Sequence, residues 1–176
     1  MARNVEIKAR VGDPEALRRR VEAAAGASPD ILEQTDTFFR AARGRLKLRQ
    51  AAGAGGELIY YERADEGGPK ESRFERVAVA DPPALRSLLA SALGVRGEVR
   101  KRRLVYRIGR TRIHLDRVAG LGEFLELEVE MAPDESPADG VAEARGLMAR
   151  FGIEESALVP QAYVDLLTGP ERAGTG

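Results

Sequence analysis

Glu126, Glu128 and Glu130 alternate with Leu127 and Val129, so a β-strand through them turns three carboxylates to one face with no cation between. Like charges so placed repel. Carboxylate oxygens are hard donors of the kind Mg²⁺ or Mn²⁺ takes, and a divalent metal is the economical way to cancel the repulsion. Arg45, Lys47 and Arg49 repeat the pattern with the opposite sign around Leu46 and Leu48. Such a face would meet an anion carrying several charges. A third alternating stretch, Arg3 to Val11, sets Glu6 beside Lys8 and Arg10. For any one of these strands alone, the competing reading is the solvated outer face of a sheet.

Composition narrows the field. At 176 residues, the chain fits one domain of ordinary size, taken as residues 1–168, with a frayed tail from 169 to 176. Lys plus Arg number 28 and Asp plus Glu 28, so no global field recommends nucleic acid or a membrane as partner. Charged residues make up 32% of the chain and aromatics 5%, which suits localised charge better than base stacking. Cysteine is absent, which excludes disulfides, thiolate zinc sites and a cysteine nucleophile. No apolar run at the start resembles a signal peptide or a membrane span. A cytoplasmic protein is the expectation.

The elements that must position these residues can be followed in order. Asp13-Pro14 starts a helix carrying Leu17 and Val21, with Asp13 as N-cap, and Gly26 to Pro29 ends it. Its run Arg18-Arg19-Arg20 reads as a solvated face. Strands follow at Leu32–Arg40, Arg45–Arg49, Leu58–Arg63 and Glu71–Val79, the last placing Glu71, Arg73 and Glu75 together. The glycine-rich loop from Ala51 to Gly56 is a hairpin connection, since no helix follows it and no Gly-Lys-Ser/Thr closes it. Asp81-Pro82-Pro83 caps a helix whose Leu85, Leu88, Leu89 and Leu93 form an apolar stripe, which marks it as a covering element. Val99–Ile108, Arg110–Asp116 and the glutamate strand come next, then a helix that Asp134 to Pro137 begins and that runs towards Phe151, and a shorter helix or turn over Glu154–Leu167.

This gives an α+β protein of eight strands, nearly all joined by short turns, with helices interrupting them. Most strands have one apolar and one ionic face. If the apolar faces pack outward against the helices, the ionic faces line a closed, wet interior; the alternative is an open sheet with water on one side. Uniform sign along single strands favours the first, because a merely solvated face mixes its charges. The expected architecture is therefore an eight-stranded antiparallel β-barrel with a charged interior and covering helices. Opposed acidic and basic walls would hold a metal on one side and a polyanion such as a triphosphate on the other.

Several stretches together carry a resemblance: Glu6-Ile7-Lys8, Leu46-Lys47-Leu48-Arg49, the Lys101/Arg103 pair, Ile113-His114-Leu115-Asp116, Leu121-Gly122-Glu123-Phe124-Leu125-Glu126-Leu127-Glu128 and Gln161-Ala162-Tyr163-Val164-Asp165. In order and spacing the chain resembles the CYTH family of triphosphate tunnel metalloenzymes, which includes class IV adenylyl cyclases, thiamine triphosphatases and inorganic triphosphatases. The resemblance implies Glu6, Glu126 and Glu128 as ligands of Mg²⁺ or Mn²⁺, with Asp116 near the metal. Glu6, Lys8 and Asp116 would serve catalysis. Lys8, Lys47, Arg49, Arg63, Lys101, Arg103 and Arg112 would hold phosphate oxygens, with Arg45 and Arg73 as further contacts. His114 is in phase with Asp116, but a lone histidine is more often structural than catalytic.

One departure stands out. The family opens with Glu-x-Glu-x-Lys, whereas this chain reads Asn4-Val5-Glu6-Ile7-Lys8, so the first carboxylate is a neutral amide that cannot act as a base. A hydrolase needs a base or a second metal to activate water; a cyclase does not. The reading therefore leans to a class IV adenylyl cyclase, turning ATP into cyclic AMP and pyrophosphate. An inorganic or organic triphosphatase and a non-catalytic polyphosphate or nucleotide sensor are the alternatives. The cyclase relatives imply a homodimer.

Overall fold

The computed structural model describes residues 1–52 and 55–169. The strands are β1 (Ala2–Arg10), β2 (Asp30–Phe39), β3 (Arg45–Ala51), β4 (Gly56–Arg63), β5 (Lys70–Val79), β6 (Val95–Ile108), β7 (Thr111–Val118) and β8 (Gly122–Met131). They close into one barrel in the order β1-β5-β4-β3-β2-β6-β7-β8, every neighbouring pair antiparallel. Helices α1 (Pro14–Ala25), α2 (Pro82–Leu93), α3 (Pro137–Phe151) and α4 (Tyr163–Thr168) surround it or close it. Residues 53, 54 and 170–176, which include the tip of the glycine-rich loop and most of the expected tail, lie outside the described residues.

The barrel is turned as its alternation predicts, because the helices offer the apolar surface that its outer face needs. Ile7, Ala9, Tyr106, Ile113, Leu125 and Leu127 point out and pack with Leu17 and Val21 of α1 and with Leu147, Met148 and Phe151 of α3. Val5 and Val129 meet Ala144 of α3. At one end, Phe38, Val99, Val118 and Phe124 point inward and are met by Val159, Ala162, Tyr163 and Val164, so the start of α4 stoppers the barrel with an apolar plug. Asp13 and Asp81 cap α1 and α2, each accepting a backbone N–H at 3.0 Å, and each helix has Pro at its first turn. Glycine permits two close approaches. A Cβ on Gly140 of α3 would lie 2.5 Å from Met131 Sδ and 2.8 Å from Val5 Cγ2, and one on Gly97 of β6 would lie 2.9 Å from Thr168 Cγ2 of α4.

Helix α3 begins at Pro137, inside the expected start of Asp134 to Pro137, with Ser136 as its cap. Two expectations need correction. β6 begins at Val95, four residues before the expected Val99, because Val95, Gly97 and Glu98 continue the pairing with Phe39, Phe38 and Thr37 of β2 across a register shift, without a regular apolar alternation. The leucine stripe of α2 is not a covering face: the helix buries no residue, and Leu88 is 65% exposed. It lies against β2 by polar contact, Arg86 Nε donating to Thr37 Oγ1 at 3.3 Å.

Candidate functional site: an ionic tunnel

Strand register explains how the inward charges meet. Across the β1–β8–β7 ladder, Glu128 lies between Glu6 and Arg112, and Glu126 lies between Lys8 and His114. Each carboxylate thus has a cation or an imidazole beside it. Arg112 Nη2 is 2.8 Å from Glu128 Oε2, and Lys8 Nζ is 3.3 Å from Glu126 Oε1. Arg103 Nη2 donates to Glu126 Oε2 at 2.6 Å. Burial would push Glu128 up, but His114, Arg112 and Arg103 hold it down at about 2. Glu126 is likewise held well below the usual carboxylate range, by Arg103 and Lys8 against its burial.

The opposite wall is built around a carboxylate that sequence reasoning missed. Asp36 of β2, 2% exposed, accepts from Arg49 Nε and Nη2 at 2.8 Å each, from Lys101 Nζ at 2.8 Å and from Lys47 Nζ at 3.2 Å. Burial alone would raise its pKa; the three cations keep it well below the carboxylate range. Burial brings Lys101 down to about 7, with Asp36 resisting and Arg49, Arg103 and Lys47 adding to the fall. Asp36 gave no signal because Lys47, Arg49 and Lys101 reach it only when β3 and β6 flank β2 in the sheet. Its phase with Gln34 and Phe38 was the one available hint.

These walls enclose a cavity of about 280 Å³, near the lower end of small-molecule sites. Lys8, Lys47, Arg49, Arg63, Arg76, Lys101, Arg103 and Arg112 line it, against Glu6, Asp36, Glu57, Glu126 and Glu128. Positive charge is therefore in excess, as an anion-binding interior requires. The Nε atoms of Arg63 and Arg112 are buried without a hydrogen-bond partner, so donors remain for an incoming oxygen. The lining is not wholly ionic. Leu32, Ile59, Phe74, Val99 and Val105 contribute an apolar portion.

The structure does not bring every expected residue to this cavity. Arg73 faces the other way on β5 from Ser72 and Phe74, which line the tunnel; its side chain is 60% exposed and pairs with Glu71 at 3.1 Å. Arg45 points toward α4, bound to Asp165 at 2.9 Å and Asp65 at 2.5 Å, and Arg96 also pairs with Asp165. Asp116 stands behind the wall. It accepts both arms of Arg103 at 2.6 Å and the Tyr163 hydroxyl at 2.8 Å, so it positions Arg103 instead of facing a ligand. Tyr163, a second residue not foreseen, also puts its ring 3.9 Å from Lys8 Nζ. Glu130 sits at the rim, its side chain 46% exposed.

Glu6 is taken by Arg63, whose Nη1 donates at 2.5 Å. Among the described residues, His114, Glu126 and Glu128 converge, with one candidate ligand atom from each within 4.8 Å of the others. His114 Nδ1 is buried with no hydrogen-bond partner, as is Asn4 Oδ1. Two carboxylates with an orphaned imidazole nitrogen between them suit a divalent cation. No helix among the described residues is long and apolar enough to cross a membrane.

Known proteins share this architecture. Adenylate cyclase CyaB of Aeromonas hydrophila is 27% identical over 172 residues, covering 90% of this chain and 85% of that protein. The PH1012 protein of Pyrococcus horikoshii OT3 superposes with a TM-score of 0.83 at 29% identity, over 93% of this chain and 98% of the other. HpAC1 of Hippeastrum, described as having a dominant triphosphatase activity, shares the fold with a TM-score of 0.66 at 16% identity, over 96% and 95% of the two chains. A family model described as the CYTH domain matches residues 2–163. The match runs from the first strand to the tyrosine that stoppers the tunnel, and the chain belongs to the CYTH domain family.

Proposed function

We propose that this protein is a metal-dependent cyclase of class IV type, converting ATP to cyclic AMP and pyrophosphate inside the tunnel. The observation that carries this reading is the state of the carboxylates. Three of those nearest the cations are already committed: Asp36 to three cations, Asp116 to Arg103 and Tyr163, Glu6 to Arg63. With Asn4 in place of the family's first glutamate, and Glu126 and Glu128 assigned to the metal, these three are poorly placed to draw a proton from water, as hydrolysis would ask. Cyclisation also releases a proton, but its nucleophile is part of the bound substrate, held in line, and can pass that proton to the departing pyrophosphate.

In this account Lys47, Arg49 and Lys101 grip phosphate oxygens from one wall, while Arg63 and Arg112 offer their unpartnered Nε donors from the other. Arg grips by its planar fork and Lys as a point charge. The ribose 3′-oxygen bonds to the α-phosphorus as the bond from that phosphorus to the bridging oxygen breaks; pyrophosphate departs with the electron pair, and the 3′-hydroxyl proton passes to the departing pyrophosphate or to solvent. Cations fixed where that charge grows lower the barrier without rearranging. Glu126, Glu128 and His114 would hold Mg²⁺ or Mn²⁺, which supplies further neutralisation of charge on the phosphates. The relative named adenylate cyclase supports the reading.

Phosphorus NMR of the untagged protein with ATP, or with tripolyphosphate, and Mg²⁺ or Mn²⁺ tests it. Cyclic AMP and pyrophosphate from ATP are expected. Orthophosphate from either substrate would replace the cyclase with a triphosphatase, and saturable binding without product would leave a sensor.

A further inference from the structure

We propose that His114 is a metal ligand, binding through Nδ1 beside Glu126 and Glu128, and that this nitrogen makes the centre favour Mn²⁺ over Mg²⁺. The inference rests on the metal-dependent reading above and says which of the chain's own atoms make the site. His114 is 96% buried by its 4% exposure. Its Nδ1 lies 3.7 Å from Glu126 Oε2 and 3.8 Å from Glu128 Oε1, too far for a hydrogen bond to either, and it has no other partner. Leaving a buried polar nitrogen unpaired is destabilising. A cation between the three groups removes that cost.

The spacing suits such an ion. Cis ligands about 2.1 Å from an octahedral metal stand roughly 3 Å apart, so the observed gaps close with a movement of under about 1 Å. Arg112 holds Glu128 by Oε2, leaving Oε1 toward the imidazole; the Glu126 oxygen nearest the imidazole, Oε2, also accepts from Arg103 at 2.6 Å, a contact the ion would have to share or displace. Asn4 Oδ1 is likewise buried without a hydrogen-bond partner, but Asn4 pairs in the ladder with Glu130, one inward position beyond the Glu6–Glu128 pair. Three protein ligands leave positions on an octahedron for phosphate oxygens. Mg²⁺ prefers oxygen and sheds water reluctantly, whereas an imidazole nitrogen favours the transition-metal divalents.

The chain contains a single histidine, so any imidazole signal at a bound metal has one source. Pulsed EPR on untagged protein loaded with Mn²⁺ should show ¹⁴N modulation from a directly bound imidazole. In His114→Gln the modulation should vanish and Mn²⁺ affinity fall by about tenfold or more, while Mg²⁺ affinity, read by competition, moves less than about threefold. The wild-type spectrum decides the matter even if the variant fails to fold. Bound Mn²⁺ that is weakened by Glu126→Gln and Glu128→Gln yet shows no nitrogen modulation would overturn the ligand role and leave the metal-dependent reading standing. No Mn²⁺ binding to the wild type, with or without tripolyphosphate, would remove both.

Discussion

The two walls of the tunnel use carboxylates in opposite ways. On the cationic wall, one carboxylate serves three cations: Asp36 is bound by Arg49, Lys101 and Lys47 at 3.2 Å or less, with its side chain 2% exposed. On the acidic wall, each carboxylate has its own neighbours, and Glu126 and Glu128 are 17% and 20% exposed to the cavity. Asp36 is therefore scaffold, holding like charges together until an anion arrives. In the proposed function Glu126 and Glu128 are the working groups, their partners exchanged for a metal or surrendered to a phosphate. The same residue types thus separate into structural and functional roles by burial and by how many cations share them.

Removing Asp36 should break the comparison most severely. Asp36→Ala leaves three buried cations uncompensated and should cost about 3–5 kcal/mol of stability, measured by urea unfolding. A cost under about 1 kcal/mol would show that solvent already screens that wall. Glu128→Gln should do the reverse. Metal-dependent turnover should fall by about a hundredfold or more while the melting temperature stays close to wild type, since an amide oxygen still accepts from Arg112. A large loss of stability with turnover retained would exchange the roles assigned to the two walls.

A smaller effect should come from pH. Burial brings Lys101 down to about 7, so in the free protein its positive charge is present below that pH and lost above it. Triphosphate affinity should fall as pH rises through neutrality, with the bound anion displacing the midpoint upward. Because the substrate's own phosphates titrate nearby, the informative quantity is the difference from Lys101→Gln, in which this component disappears. Identical profiles in the two proteins would mean that Lys101 remains charged throughout or makes no contact with the anion.

Much of this was legible in the sequence, for a definite reason. Strands such as Arg45–Arg49 and Phe124–Glu130 alternate so regularly that period and sign together predicted an ionic interior, and the structure places Lys47, Arg49, Glu126 and Glu128 there. Pairing across the barrel was not legible. Arg73 alternates as cleanly as Lys47, but the direction of β5 in the closed sheet turns it outward, and alternation fixes faces only relative to each other. Asp116 matched its expected place in the chain, yet the two arms of Arg103 and the Tyr163 hydroxyl reach it from residues 103 and 163 and keep it behind the wall. The surroundings of the glutamates were hidden for a similar reason: Arg63 crosses to Glu6, and His114, in phase with Asp116 all along, faces Glu126 and Glu128.

The most direct test compares an inward with an outward cation. Calorimetric titration of tripolyphosphate, with Mn²⁺ present, into wild type, Lys47→Gln and Arg73→Gln asks whether the facing of a charge decides its effect. Loss of one charge-assisted contact of about 1.5 kcal/mol should weaken binding roughly tenfold in Lys47→Gln, and Arg73→Gln should bind as wild type does. Equal weakening in both variants, or no change in either, would contradict a triphosphate held within the barrel.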